Sequence, residues 1–260
     1  MNYENILVEI KDGICLITIN DEKKLNALSK QTVHEFHKAM DEVESDKSIR
    51  VVLLTGAGKA FIAGADIAYM STFSPDDARD FARSTQAICQ KMKASEKVYV
   101  GVVNGYALGG GFEIALGCDI LIASEKAIFG LPEVGLGLLP GGGGTQRLSR
   151  LIGTKRAMAF ILTGDRFSAQ VALEMGIISD VVVAGCLLER AFMLAERIIK
   201  NAPLAVRYAK ECVVQAEQQP LDTALDYERT MFAMCFSTPD QKEGMAAFLE
   251  KRPANFSKVL

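Results

Sequence analysis

The stretch from Asn104 to Arg147, NGYALGGGFEIALGCDILIASEKAIFGLPEVGLGLLPGGGGTQR, constrains this chain more than any other. More than half of the chain's 22 glycines fall within it, and two isolated glutamates, Glu113 and Glu133, sit there among apolar neighbours. Gly109-Gly110-Gly111 follows the apolar run Val98–Val103 and opens Phe112–Gly117, a segment too short and too apolar for a surface helix. That spacing predicts a buried strand, a tight turn and the first turn of a buried helix. The first N–H groups of a helix have no partner inside it and lie at the positive end of its dipole. Glycines at such a place let a ligand oxygen approach bare backbone. The arrangement suits an oxygen that gains negative charge.

Glu113 stands on that first helical turn, two residues after the last of the three glycines, and Glu133 lies in Gly-Leu-Pro-Glu-Val-Gly-Leu-Gly. Glutamates are almost never fully buried without a partner or a task. Two of them in glycine-rich apolar segments, near a backbone oxyanion donor, read as paired acid/base carboxylates. The same pattern admits a plainer reading, in which Glu113 caps the helix electrostatically and Glu133 is a loop charge. The pattern alone leaves both open.

Elimination narrows the chemistry. The two histidines, His34 and His37, share one predicted surface helix without a carboxylate partner pattern, and read as structural or surface residues. There is no G-x-S-x-G, H-E-x-x-H or G-x-G-x-x-G, and no cluster of metal ligands; Gly56-Ala57-Gly58-Lys59 imitates a phosphate loop, but Leu53 occupies the place of its first glycine. Acid/base work, if any, falls to carboxylates. The 260 residues, 49% apolar and 23% charged, suit one large α/β domain or a domain with an appendage. A net charge of -3 gives no reason to expect nucleic acid or an anionic membrane. The N-terminal MNYENILVEIKDG has no secretory pattern, and the apolar run Val98–Ala123 is too interrupted to span a bilayer. Six cysteines without a C-x-x-C pair fit a reducing cytoplasm.

Along the chain, Ile6–Ile10 and Ile14–Ile19 flank an Asp-Gly turn and predict a hairpin. Ser29 is an N-cap candidate for a helix to about Glu44, with Val33, Phe36, Met40 and Val43 inward. Val51–Thr55 lacks alternation, as a strand buried on both faces should. Thr55–Asp66 reads as a second glycine-rich loop, with Asp66 capping or orienting it. Ser74-Pro75-Asp76-Asp77 opens a helix whose apolar stripe is Ala78, Phe81, Ala82, Thr85, Ile88 and Met92. Short buried strands are expected at Ile120–Ala123 and Ala127–Phe129, a helix capped by Ser168 and closed by Gly176, and a last strand at Val181–Val183. Helices are expected near Leu187–Lys200, Pro203–Gln218, Asp222–Phe236 and Asp240–Glu250. The change to all-helix near residue 200 divides the chain into 1–200 and 201–260.

VNGYALGGGFEIALGCDILIAS and FGLPEVGLGLLPGGGGTQRL resemble the crotonase family, and within it the enoyl-CoA hydratases. The likeness continues through Leu25–Leu28 (LNAL), TGAGKAFIAGADI, TGDRFSAQVALEMGII and FSTPDQKEGMAAFLEKRPANF, and covers essentially the whole chain in order. It implies an α/β crotonase fold, a spiral of repeated β-β-α units followed by a C-terminal helical region. It implies reversible syn addition of water across the 2,3 double bond of a short-chain 2-trans-enoyl-CoA, with Glu113 the main base toward water and Glu133 the proton donor. The backbone N–H groups of Ala65 and Gly110 would form the oxyanion hole. Ala63, Asp66 and Ile67 would line the substrate. Lys23, Lys24 and Lys59 would lie near CoA, and Phe248 and Lys251 would reach a neighbouring subunit's ligand. No metal or redox cofactor is implied, the partner is a small-molecule acyl-CoA, and family members are homotrimers or homohexamers.

Three positions depart from the family's pattern. Val98 replaces a proline before its strand, Leu131 replaces a glutamine beside the second glutamate, and Ala68-Tyr69 replaces a Lys-Glu pair. Two other readings remain. One is another crotonase reaction such as Δ3-Δ2 isomerisation, whose enzymes commonly keep a single glutamate. The other is a non-catalytic acyl-CoA-binding or RNA-binding member, against which stand the glutamate pair and the lack of a basic stripe.

Overall fold

A computed structural model describes residues 3–257. Its larger sheet has six strands, β1 (Ile6–Lys11), β2 (Ile14–Ile19), β3 (Val51–Gly56), β5 (Val98–Val103), β7 (Ile120–Ser124) and β10 (Asp180–Val182), hydrogen-bonded in that order. The β1–β2 hairpin is antiparallel and every later pairing in this sheet is parallel. A smaller sheet joins β4 (Ala60–Ile62), β6 (Tyr106–Leu108), β8 (Ile128–Gly130) and β9 (Arg166–Ser168), with only the last pairing antiparallel.

The chain alternates between the two sheets. β3 bends into β4, β5 into β6 and β7 into β8, and helices carry it back: α2 (Ile67–Met70) and α3 (Pro75–Ala94) after β4, and α4 (Gly110–Ala115) after β6. This is the repeated β-β-α winding that the resemblance implies. The strands of the smaller sheet are three residues each, too short to carry a period, so Thr55–Asp66 reads in the sequence as a loop although it holds β4.

The unpatterned apolar run of β3 has a direct cause. Val51 and Leu53 face α8 (Leu187–Ile199) through its Leu187, Ala191 and Ala195. Val52 and Leu54 face the main core, where α1 (Lys30–Ser45) contributes Val33, Phe36 and Met40. With helices on both faces, a parallel strand has no polar side. Local signals set the helix starts: Ser29 accepts from the Thr32 N–H, and Ser74 and Asp77 cap each other's backbone N–H at the head of α3. Ala78 is exposed, so the buried stripe of α3 begins later than its sequence suggests, with Thr85, Ile88, Cys89 and Met92 fully inside.

After α5 (Gly144–Ile152), α6 (Thr154–Thr163) and α7 (Ala169–Glu174), the C-terminal helices are α9 (Pro203–Ala216), α10 (Leu221–Cys235) and α11 (Pro239–Leu249). α9 is pinned to the core by Lys210, whose ammonium lies 2.8 Å from Asp119 and donates to the Met92 and Lys97 carbonyls. α10 buries no residue within the chain and exposes Leu225, Phe232 and Met234, with Phe236 exposed at its C-terminal cap. Among the described residues no helix is long and apolar enough to cross a membrane. His34 is exposed and His37 contacts Ser84; among the described residues neither hydrogen-bonds or ion-pairs with a carboxylate.

Candidate active site

The parallel pairing of β4 with β6 decides which loops meet. Ala60 pairs with Tyr106 and Ile62 with Ala107, so the Ala63–Asp66 loop leaving β4 runs beside the turn leaving β6. A methyl on Gly109 would stand 3.8 Å from the Gly64 Cα. Leu28 fixes the loop from its far side: its N–H donates to the Gly64 carbonyl at 2.8 Å, and its carbonyl accepts from the Asp66 N–H at 3.1 Å. Successive N–H groups along an extended chain point to opposite sides, so the Ala65 N–H faces away from Leu28. Across from it Gly110 opens α4, where N–H groups lack intrahelical partners. The Gly109 N–H is already taken by the Gly130 carbonyl at 2.9 Å.

Gly109 adopts φ 51°, a conformation that side chains disfavour, and this sharp turn is what stands α4 up from β6. A side chain there would also collide with Glu133, whose Oε1 lies 2.9 Å from the position of a Cβ. A Cβ on Gly110 would lie 4.0 Å from Glu113 Oε2. Both carboxylates therefore border the same two-residue turn.

Their settings differ. Glu113 is 3% exposed, and its Oε1 accepts from the Gly144 N–H at 2.7 Å. The Gly142 and Gly143 N–H groups also face it, at longer range, and a Cβ on Gly142 would come within 2.6 Å of its Oε2. Burial pushes this carboxyl above its ordinary range, while the three N–H groups and the Arg147 guanidinium pull it back. Glu133 sits in the 3-10 turn Pro132–Leu136, and its Oε2 is buried with no hydrogen-bond partner among the described residues. Burial, with the Glu113 charge as a smaller contribution, pushes the Glu133 carboxyl up to about 7.

Around the turn, Ala63 donates its N–H to the Leu25 carbonyl, and Ile67 begins α2 exposed. Asp66 caps α2 through the Tyr69 N–H and binds the Lys24 ammonium at 2.8 Å, contacts that hold its carboxyl below the usual range. Lys24 and its exposed neighbour Lys23 lie on the 3-10 turn Glu22–Lys24, and exposed Lys59 lies between β3 and β4. Phe248 is 82% exposed, so it packs against almost nothing in its own chain; Lys251 is exposed just beyond α11.

The sequence reading missed two supports. Asn26, buried at φ 61°, donates to the Ala57 and Ala60 carbonyls, and Asn104 holds the same segment through Gly58 and Ala60. Asparagine tolerates this left-handed conformation, which is the one available signal in LNAL. The second is the glycine run 141–144, which acts as a carboxylate cradle. Leu131 is buried in the main core with its Cδ1 at 2.9 Å from a Cβ position on Gly144, beside Glu113. It therefore borders the Glu113 cradle, which the sequence reading did not foresee.

The family model described as Enoyl-CoA hydratase/isomerase matches residues 9–258. The chain belongs to that family. It is 44% identical to the crotonyl-CoA hydratase of Syntrophomonas wolfei, over 98% of this chain and 99% of that protein. It is also 44% identical to the short-chain-enoyl-CoA hydratase of Clostridium acetobutylicum, over 97% of each. Among solved structures, enoyl-CoA hydratase subunit I of Geobacillus kaustophilus superposes with a TM-score of 0.94 at 42% identity, covering 98% of this chain and 99% of that one. The fold is the crotonase fold. A cleft of about 1260 Å³ lies behind α4 and is lined by Gln90, Cys118, Arg147 and Ile178. It reaches Gly142 and Gly143 but includes none of Ala65, Gly110 and Glu133, so it is distinct from the turn that the two glutamates border.

Proposed function

We infer that this protein is an enoyl-CoA hydratase, a hydro-lyase acting on short-chain 2-trans-enoyl-CoA thioesters. The observation that carries this reading is the convergence of Glu113 and Glu133 on the Gly109–Gly110 turn, beside the Ala65 loop. The Ala65 and Gly110 N–H groups donate to the thioester oxygen as negative charge builds on it and water adds at C3. Glu113, held by three N–H groups, favours its ionised form relative to Glu133 and takes the proton from water. Glu133, whose carboxyl sits near 7, delivers a proton to C2, giving the (3S)-3-hydroxyacyl-CoA. Both groups act on one water. Retention of two carboxylates favours hydration over isomerisation.

The chemistry needs no metal or redox cofactor, since CoA is the substrate's own carrier. Lys23, Lys24 and Lys59 offer positive charge to its phosphates, and Ala63, Asp66 and Ile67 border the acyl end. Residues 1–200 form the catalytic spiral, and 201–260 serve assembly and part of the acyl-CoA site. The accessible surface of 13595 Å² exceeds by roughly 2,500 Å² what a compact monomer of 28.2 kDa exposes. With the bare apolar faces of α10 and α11, that excess supports a homotrimer or a homohexamer, in which Phe248 and Lys251 meet a neighbour's ligand. Six free cysteines suit a reducing cytoplasm.

The test is hydration of crotonyl-CoA, followed by loss of the conjugated enoyl-thioester absorbance. Turnover is expected, faster than with longer enoyl-CoAs; no turnover by folded, assembled protein would overturn the reading. Light scattering should give a trimer or hexamer mass, and a monomer at micromolar concentration would remove Phe248 and Lys251 from the site.

A further inference from the structure

We propose that Gln86 of α3 is a positioning residue for Glu113, acting through the Gly141–Gly142 peptide. The proposal rests on the hydratase reading above. Gln86 Nε2 donates to the Gly141 carbonyl at 2.7 Å. That carbonyl and the Gly142 N–H belong to one planar peptide unit and point in opposite directions. Holding the carbonyl on α3 therefore aims the Gly142 N–H away from α3; that N–H is one of the three that pull the Glu113 carboxyl down, and Oε2 of Glu113 lies beside the same residue, 2.6 Å from a Cβ position on it. Four consecutive glycines leave this peptide free to flip unless something outside the run holds it. Within α3, Ala82 provides the flat seat, 3.6 Å from a Cβ position on Gly141, and Gln86 supplies the clamp one turn on. The same helix meets Glu113 from its other side, where the Cys89 thiol lies 3.5 Å from the Glu113 carbonyl. A hydrogen bond to the carbonyl also polarises the peptide, making its N–H a better donor.

The ionisable groups that face Glu113 are Arg147 from α5, Glu133 from the 3-10 turn and the Cys89 thiol from α3. None of these hydrogen-bonds Gln86, whose side-chain amide is engaged by the Gly141 carbonyl. Gln86→Leu leaves an apolar side chain one atom shorter and removes the donor; Gln86→Lys restores a donor; Gln86→Glu sets a carboxylate against the carbonyl. With crotonyl-CoA, Gln86→Leu should lower kcat about three- to ten-fold at unchanged KM, the worth of one exposed-edge hydrogen bond. The acidic limb of its pH profile should move to higher pH, because an unsupported cradle favours the neutral carboxyl. Gln86→Glu should lose more and Gln86→Lys less. In a Glu113→Gln background Gln86→Leu should change kcat by less than about two-fold, since there is no carboxylate left to hold. Equal losses in both backgrounds would mean a merely structural role and overturn the proposal, as would a normal kcat and pH profile in Gln86→Leu. A second readout is independent of turnover: the infrared carboxylate band assigned to Glu113 by its loss in Glu113→Gln. Its midpoint should rise in Gln86→Leu. An unmoved midpoint overturns the proposal even if the protein proves not to hydrate crotonyl-CoA, which would instead overturn the hydratase reading.

Discussion

The two glutamates border one turn yet stand in opposite surroundings. Glu113 rises from α4 into a ring of backbone N–H groups supplied by Gly142–Gly144. Glu133 hangs from a short 3-10 turn, with Oε1 against Gly109 and Oε2 buried without a partner among the described residues. Burial raises both carboxyls; three backbone N–H groups and Arg147 offset it at Glu113, whereas at Glu133 only its own backbone N–H does. Two chemically identical side chains thus stand in different electrostatic settings, and the proposed base and acid roles rest on that difference. The charge of Glu113 also raises Glu133, so the pair titrates as a unit and its apparent values belong to both groups.

The strongest way to break this comparison is to remove each carboxylate's proton chemistry while keeping its shape. Glu113→Gln and Glu133→Gln should each lower turnover by roughly 10²–10⁴, with little change in substrate affinity. The double variant should lose less than the product of the single losses, because both groups serve one water. A glutamate whose glutamine variant keeps its turnover but melts earlier is structural.

The contrast was half visible in the sequence. Both glutamates stood out as charges in apolar, glycine-rich segments, and the cap residues Ser29, Ser74 and Ser168 marked helix starts correctly, while Asp66, read as capping or orienting its loop, caps the unforeseen α2. Local signals sufficed there because caps act within three residues. What the sequence hid was long-range. Gly144 reaches Glu113 from 31 residues away, and β4 finds β6 through strands of three residues. A glycine run looks alike whether it cradles a carboxylate or only turns the chain. Likewise the C-terminal helices read as apolar on several faces, while the buried contact of Lys210 with Asp119 had no local sign.

The cradle gives the next test. Gly142 has no positive φ, so Gly142→Ala adds only a methyl, placed 2.6 Å from Glu113 Oε2. Turnover should fall by about ten-fold or more as the carboxylate is pushed off its donors. Gly135→Ala, on the Glu133 turn, meets nothing within 4 Å and should change turnover less than about two-fold. Equal effects in the two variants would erase the difference between the carboxylates' surroundings.

A milder probe is pH. For hydration the active form is Glu113 ionised with Glu133 protonated, so kcat/KM should fall above about 7 as Glu133 loses its proton. The residual activity of Glu133→Gln should lack that alkaline limb, and that of Glu113→Gln should lack the acidic one. If the alkaline limb survives in Glu133→Gln, another group is the acid.

The smallest effect expected is on stability, and its sign depends on pH. The Glu133 carboxyl titrates near 4.5 when exposed and near 7 in the folded chain. Such a group favours the folded state most fully below about 4.5 and loses that contribution as pH rises through 7. At pH 8 the folded protein must hold an ionised carboxylate whose Oε2 has no donor, whereas glutamine carries no charge to desolvate. Glu133→Gln should therefore raise the melting temperature by a few degrees at pH 8, and the gain should shrink toward zero by pH 5. Glu113→Gln should gain less at pH 8, since the substitution also gives up the charge-assisted bond from the Gly144 N–H. Melting curves of the two variants at both pH values decide it. A larger gain for Glu113→Gln, or a Glu133→Gln gain that does not change with pH, would mean that the backbone does not distinguish the two carboxylates as described.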